Sequence, residues 1–324
     1  MLTGLRVILG ELVVNPGRVA RRYHGALGVY KAFSNTVTSS RRQRLRRLAG
    51  MLPSPTTELR VTEDDGFKVI APGKFASADP LIARCRALTG QAGQRPSKKA
   101  QLDSLVGVGQ VQQFPEFLDF CLDPTLLGVA ADYLHELPIL ASVEFWHSRA
   151  TAEEFQNSQL YHSDLDDVRQ FKIFLFISDV DEHSGPLTVV SAGRSEALAR
   201  ALRYRPRSGH VRIEDERIRP LLTPGDERVL TGPAGTVVFI DTSRVLHFGS
   251  RVATRDRYVV MVQYLALTNF MFNPFYSFKA WPYAHLARPG MSAVQRAVLG
   301  EAVVPVVGRA RAGVGHADAD HASS

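Results

Sequence analysis

The sequence predicts a mainly β, α+β fold, a sandwich or barrel of short strands preceded by helices. Strand-like runs follow one another from Ile139 onward: "ILASVEFWHSR", "FKIFLFISDV", "GPLTVVSAG", "GTVVFIDTS" and "RYVVMVQYLAL". Turn signals such as "HSGP" and "GPAG" separate them. Strands at short intervals with turns between them are the signature of an all-β unit. The third observation is the texture before Ile139, which is helical in long pieces with apolar residues three and four apart.

Residues 1–58 read as a basic helical extension, amphipathic in pieces and broken at Pro16-Gly17. The first 50 residues carry ten Lys/Arg against Glu11, a net of +9, whereas the remainder nets −2. The overall +7 therefore belongs to the extension, and nucleic-acid binding by the body of the chain is not expected. The run "SSRRQRLRRLAGML" places Leu45, Leu48 and Leu52 on one helical face. A solvated basic helix packed on the main domain is one reading; attachment of residues 1–50 to an anionic membrane surface or an acidic partner is the other.

At "ELRVTEDDGFKVIAPG" the pattern changes to short strands and turns. Residues 76–107 are polar, helical in part, with "GQAGQRPSKKAQ" as a flexible stretch. "FPEFLDFCLDPTLLGVAADYLHE" then reads as a helical stretch beginning near Pro115, and the strands follow. The stretch "NFMFNPFYSFKAWPY" has seven aromatics in fifteen residues, suited to core, interface or a hydrophobic lid. The tail from about Val304 is small and polar, and disorder is expected there. The expected division is an extension over 1–58, a β domain over 59–285 and a C-terminal helix and tail over 286–324.

The apolar share of 45% and charged share of 22% are those of a soluble globular protein. Cys85 and Cys121 form neither a disulfide framework nor a zinc motif, which indicates a reducing compartment. No run reaches about 18 apolar residues, and Arg6 and Glu11 interrupt the early stretch "LTGLRVILGELVV". A cytoplasmic location is expected.

"SQLYHSDLDD" holds the first candidate ligands, His162 and Asp164. Residues i and i+2 of a strand point to one face, so the two can meet one ion. A His-x-Asp pair alone carries little, since His316-Ala-Asp318 repeats it in the tail, where no packed scaffold would hold it. A two-His-one-carboxylate iron(II) site also needs a distant His. His247 is best placed, at the start of a strand in "GTVVFIDTSRVLHFGSR". A keto-acid co-substrate has a second carboxylate, for which a guanidinium is the suited partner. Arg257 is preferred because a β-branched run begins there, with Arg255 and Arg251 as competitors. Lys172, a charge in the apolar run "FKIFLFI", fits either a snorkelling edge lysine or a cavity lysine contacting an acidic co-substrate or substrate.

The ordered set "DGFKVI", "QLYHSD", "FISDVDEHSGPLTVV", "GTVVFIDTSRVLHFGS", then Arg257 and "VVMVQY", resembles the phytanoyl-CoA dioxygenase-like family over about residues 60–265. The resemblance implies a double-stranded β-helix, a jelly-roll or cupin-like barrel, with flanking helices. It implies Fe(II) held by His162, Asp164 and His247, with 2-oxoglutarate as co-substrate clamped by Arg257. O2 and a small-molecule or lipid-like acyl substrate would be its partners, and hydroxylation of an unactivated C–H its reaction. Gln159 matches a position where the family often has Gln, and is a candidate cavity residue. Where the family usually reads Pro-Gly-Ser-His, this chain has "SAGR", Ser191 to Arg194, which is expected to alter a turn at the mouth of the cavity. Asp164 disfavours the halogenating variant. The alternative reading is a non-catalytic β-helix protein that binds a membrane surface or acidic partner through its extension.

Overall fold

Alternation along the strands decides the architecture of the computed structural model, which describes residues 27–89, 102–150, 157–204, 212–251, 253–272 and 281–301. The elements run α1 (Leu27–Val37), α2 (Ser39–Ala49), β1 (Phe67–Ile70), α3 (Ala78–Thr89), β2 (Leu102–Val106), α4 (Pro115–Cys121), α5 (Pro124–Leu134), β3 (Ile139–Ser148) and β4 (Gln170–Phe176). They continue with β5 (Leu187–Val190), α6 (Ala192–Ala201), α7 (Asp215–Ile218), β6 (Glu227–Leu230), β7 (Val237–Ile240), β8 (His247–Phe248), β9 (Arg257–Leu265) and α8 (Ala293–Val298).

Six strands form one sheet in the order β1-β7-β4-β9-β3-β2, and three form a second in the order β6-β5-β8. Every pairing is antiparallel. Successive residues of a strand face opposite sides, and both sides of the large sheet are used. Phe171, Ile173 and Leu175 of β4, with Val260, Val262 and Tyr264 of β9, join the helices in the main core. Lys172, Phe174 and Phe176, with Val259, face the other way into a cavity closed by the small sheet. Two facing antiparallel sheets with helices outside make the double-stranded β-helix that the resemblance implies. The double burial of β4 explains why "FKIFLFI" reads as continuous apolar sequence, its one charge being turned inward.

Several elements differ from the sequence expectation. The helical stretch from Pro115 is two helices, because Asp123 caps the second through Thr125 and Leu126 and Pro124 occupies its first turn. "SAGR" is no turn at the cavity mouth. Ser191 precedes α6, and Arg194 bonds to Asp226 and the Leu221 carbonyl, away from the cavity. Strand β6 was not among the expected strand-like runs, and three of its four residues are exposed. Lys172 is not on an edge, since β4 lies between β7 and β9.

The described part of the basic stretch is docked on the β domain. Leu45 of α2 is buried in the main core, as are Val294, Ala297 and Val298 of α8. Arg42 Nε meets Glu136 at 2.7 Å, and Lys31 Nζ meets Asp167 at 2.5 Å. No described helix is long and apolar enough to cross a membrane. Residues 1–26, the stretch 90–101, residues 273–280 of the aromatic run and the tail from 302 lie outside the described residues.

Candidate metal centre

The small sheet is extended by backbone pairs that belong to no long strand. His162 and His247 exchange both backbone hydrogen bonds at 3.0 Å, and Tyr161 pairs with Ile213. The segment at 161–162 thus lies between β8 and the segment at 212–213. Tyr161 and Ile213 turn outward into an apolar cluster with Phe248, so His162 and His247 turn inward. Asp164, two residues on, is held by its backbone N–H donating to the Thr242 carbonyl at 2.8 Å.

The result is one nitrogen from each of His162 and His247 and one oxygen from Asp164, all within 4.8 Å of one another. His162 Nε2 lies 3.8 Å from Asp164 Oδ1, and the two imidazole centroids are 4.2 Å apart. Each ring is fixed from behind. The Nδ1–H of His162 donates to the Leu160 carbonyl and that of His247 to the Val245 carbonyl, both at 2.9 Å. A carbonyl can only accept, so Nε2 carries the lone pair, the arrangement found behind metal-bound histidines. Burial pushes both imidazoles below their ordinary pKa, and for His162 the neighbouring His247 adds to it. Both are therefore neutral, the ligating form.

Lys172 Nζ meets the other oxygen of Asp164, Oδ2, at 2.6 Å. Burial pushes the Asp164 carboxyl up, but the Lys172 ammonium beside it leads the groups that outweigh burial and hold the carboxyl well below the usual carboxylate range. A two-nitrogen, one-oxygen set of this kind matches the facial triad of non-haem iron(II) sites, with one side left open. The open side faces a cavity of about 250 Å³. Trp146, Phe174, Phe176, Leu187, Val238 and Val259 form much of its apolar wall.

Arg257 lies in the same wall. One end of its guanidinium donates to Ser250 Oγ at 3.0 Å, while its Nε is buried with no partner among the described residues. Burial pushes its pKa down to about 10, and an unanswered buried donor is costly. The competitors are engaged elsewhere. Arg255 pairs with Asp181 at the exposed surface, and Arg251 makes a two-pronged pair with Asp215 and stacks on Phe248.

Gln159 stands behind the wall instead of in it. Its amide donates to the Ser250 carbonyl at 2.7 Å. Ser250 has a φ of +59°, a conformation that non-glycine residues hold only when the surroundings enforce it. Its N–H donates to Gly185 and its hydroxyl also meets Ser148 Oγ at 3.0 Å. Gln159 therefore acts on the residue that touches Arg257. Ser250, Thr242 and Arg212 also line the cavity and were not singled out from the sequence. Alternation in "HVRIED" is the one signal that marks Arg212. The remaining described histidines lie elsewhere: His147 between Asp256 and Asp103, His135 at the end of α5, His183 in a turn and His285 near Gln112.

No family model and no curated protein matches the chain. Solved structures do. They include the non-haem alpha-ketoglutarate-dependent carbocyclase SnoK from nogalamycin biosynthesis, at 18% identity and a TM-score of 0.47, over 65% of this chain and 87% of that one. HygX from Streptomyces hygroscopicus, solved with nickel and 2-oxoglutarate, is 16% identical with a TM-score of 0.45, over 62% of this chain and 83% of that one. The epimerase SnoN, solved with Fe3+, alpha-ketoglutarate and nogalamycin RO, is 17% identical with a TM-score of 0.48, over 78% and 92%.

Proposed function

We propose that this chain is an Fe(II)- and 2-oxoglutarate-dependent dioxygenase that hydroxylates an unactivated C–H of a small-molecule or lipid-like substrate. One observation carries the reading. A neutral-His, carboxylate triad shares a cavity with a buried guanidinium whose Nε has no partner among the described residues. A structural zinc site or a vestigial one accounts for the first feature and leaves the second unexplained.

In this reading His162 and His247 offer Nε2 and Asp164 offers Oδ1 to the metal. Iron(II), when bound, supplies the positions at which 2-oxoglutarate chelates and O2 is activated for oxidation of a C–H bond. The protein's work is positional. Lys172 occupies Oδ2 of Asp164, leaving a single oxygen for the metal and fixing its direction. Arg257 receives the far carboxylate of 2-oxoglutarate, held in place by Ser250 and, through it, by Gln159. The apolar wall excludes water and admits a hydrocarbon portion of the substrate.

The test is anaerobic titration of the metal-free protein with Fe(II) and then 2-oxoglutarate, followed by visible absorption. A weak charge-transfer band is expected in the wild type and absent in His162→Ala. In Arg257→Gln the band should persist at saturation, with 2-oxoglutarate affinity lowered at least ~10-fold, the equivalent of losing a hydrogen bond to a charged group. No band in a folded wild-type protein with both components in excess would sink the reading.

A further inference from the structure

The small sheet sets three side chains in a row. His247 is directly opposite His162. The Tyr161–Ile213 bridge, one residue further back, places Arg212 directly opposite His162 on its other side, because antiparallel partners advance in opposite senses. Tyr161 and Ile213 face outward together, so Arg212 faces inward with His162, and it does line the cavity. Neighbouring segments of a sheet lie about 4.8 Å apart, which makes Arg212 the next side chain to the metal ligands on the side away from β8.

Among the described residues none hydrogen-bonds or ion-pairs with the Arg212 guanidinium, although burial and nearby Asp164 both bear on it. The charges around it do not balance. Among the described lining residues Asp164 is the one carboxylate, against Lys172, Arg212 and Arg257. Lys172 is answered by Asp164, with Asp166 and Glu144 also acting on it, and in the proposed reading Arg257 is answered by 2-oxoglutarate. That leaves Arg212 as the lining cation with no described carboxylate paired to it. Arg212 is half-buried, and a guanidinium is best answered by an oxyanion.

We propose that Arg212 binds an oxyanion group of the primary substrate, so that the substrate is an acid, a carboxylate or phosphate ester, whose apolar body lies along the Trp146 and Phe174 wall. The inference rests on the oxygenase reading and deepens it. Arg212 is thus a specificity residue, distinct from the clamp at Arg257. It selects for charge at one end of a substrate whose other end must be hydrocarbon to be oxidised.

The experiment uses the full chain, loaded with Fe(II) and 2-oxoglutarate under nitrogen, and calorimetric titration. The probes are octanoate and octanamide, 3-phenylpropanoate and its amide, octyl phosphate and octanol, and inorganic phosphate. At least one anionic probe should bind the wild type ~10-fold more tightly than its neutral counterpart. That preference should vanish in Arg212→Gln and return in part in Arg212→Lys, while 2-oxoglutarate affinity stays within about twofold. Carboxylate against phosphate probes then separates the two kinds of acid. A preference that survives in Arg212→Gln, or the absence of any preference in the wild type, would overturn the proposal. So would a loss of 2-oxoglutarate affinity in Arg212→Gln, which would assign the residue to the co-substrate. Failure of 2-oxoglutarate to bind the wild type is a separate result, and it would remove the oxygenase reading beneath both.

Discussion

Ser250 joins three side chains that are far apart in the chain: its hydroxyl meets Arg257 and Ser148, and its carbonyl accepts from Gln159. Removing the hydroxyl should loosen the guanidinium without touching the metal ligands. Ser250→Ala is expected to weaken 2-oxoglutarate binding several-fold, roughly the 0.5–1.5 kcal/mol of one ordinary hydrogen bond, with Fe(II) affinity unchanged in the same titration. At this scale the meeting of three side chains was legible: the structure brings His247 to the His-x-Asp pair, as the ordered set of motifs led one to expect. Gln159 was harder to read. It lies in a 3-10 turn at Asn157–Gln159, where strand alternation does not apply, and nothing in the spacing says that Ser250 stands between it and the cavity. Arg212 was hard to read for another reason, the alternation in "HVRIED" being its one mark. Its place beside His162 depends on a single backbone bridge between segments some fifty residues apart.

The turn before β1 shows how the elements fix the site from outside. Gly66 has a φ of +69°, and a Cβ there would come within 2.8 Å of both Ala192 Cβ and Val245 Cγ2. Its carbonyl accepts from Asp241. Val245 in turn supplies the carbonyl that fixes the His247 ring. Gly66→Ala is expected to cost about 1–3 kcal/mol, read as a lower urea midpoint, and to weaken metal binding as Val245 shifts. Asp123→Ala, which removes the cap of α5 and the acceptor for the Ser77 hydroxyl, should cost about 1–3 kcal/mol and leave metal binding alone. Most strands were legible as apolar runs bounded by turns. The break at Asp123-Pro124 is written in the sequence as a cap followed by a first-turn proline, but the apolar spacing on either side runs on and conceals it. The exposed β6 offers almost no apolar signal, since it is defined by its partner β5.

Across the whole molecule, the basic stretch is tied in by charge as well as by apolar contact. Glu136 is fully buried and meets Arg42, its other oxygen accepting from the Leu267 N–H. Deleting residues 1–50 would strand Glu136 and Asp167 without their cations. Breaking a buried pair from one side typically costs about 3–5 kcal/mol, so that deletion is expected to lower the thermal midpoint sharply. Deleting residues 1–26, which spares Lys31, Arg42 and Leu45, should not remove these contacts. The extension is basic in composition, yet part of that charge serves the domain itself, which composition alone does not reveal. Asp241 sets a global pH dependence. Burial pushes its pKa up to about 7 against the donors Tyr133, Gln170 and Ser243, whereas an unfolded aspartate titrates near ~3.9. The native state therefore holds this proton more tightly. The stabilising contribution is complete below about pH 4 and is lost as pH rises through about 7. Relative to Asp241→Asn, the wild type should lose about 2–3 kcal/mol of unfolding free energy between pH 5 and pH 8.

The proposed ligands lie where the small sheet is least continuous. β8 has two residues, the segment at 161–162 is joined to it by a single bridge, and the segment at 212–213 is joined by another to 161–162. Few ladder bonds mean low local opening energy, so a metal spanning His162 and His247 would act as a rivet through a seam. Amide hydrogen exchange around 160–164 and 245–249 should slow markedly on metal loading, while β4 and β9 in the large sheet barely respond. On that reading, the fraction of the folded protein with a finished barrel would follow the supply of metal.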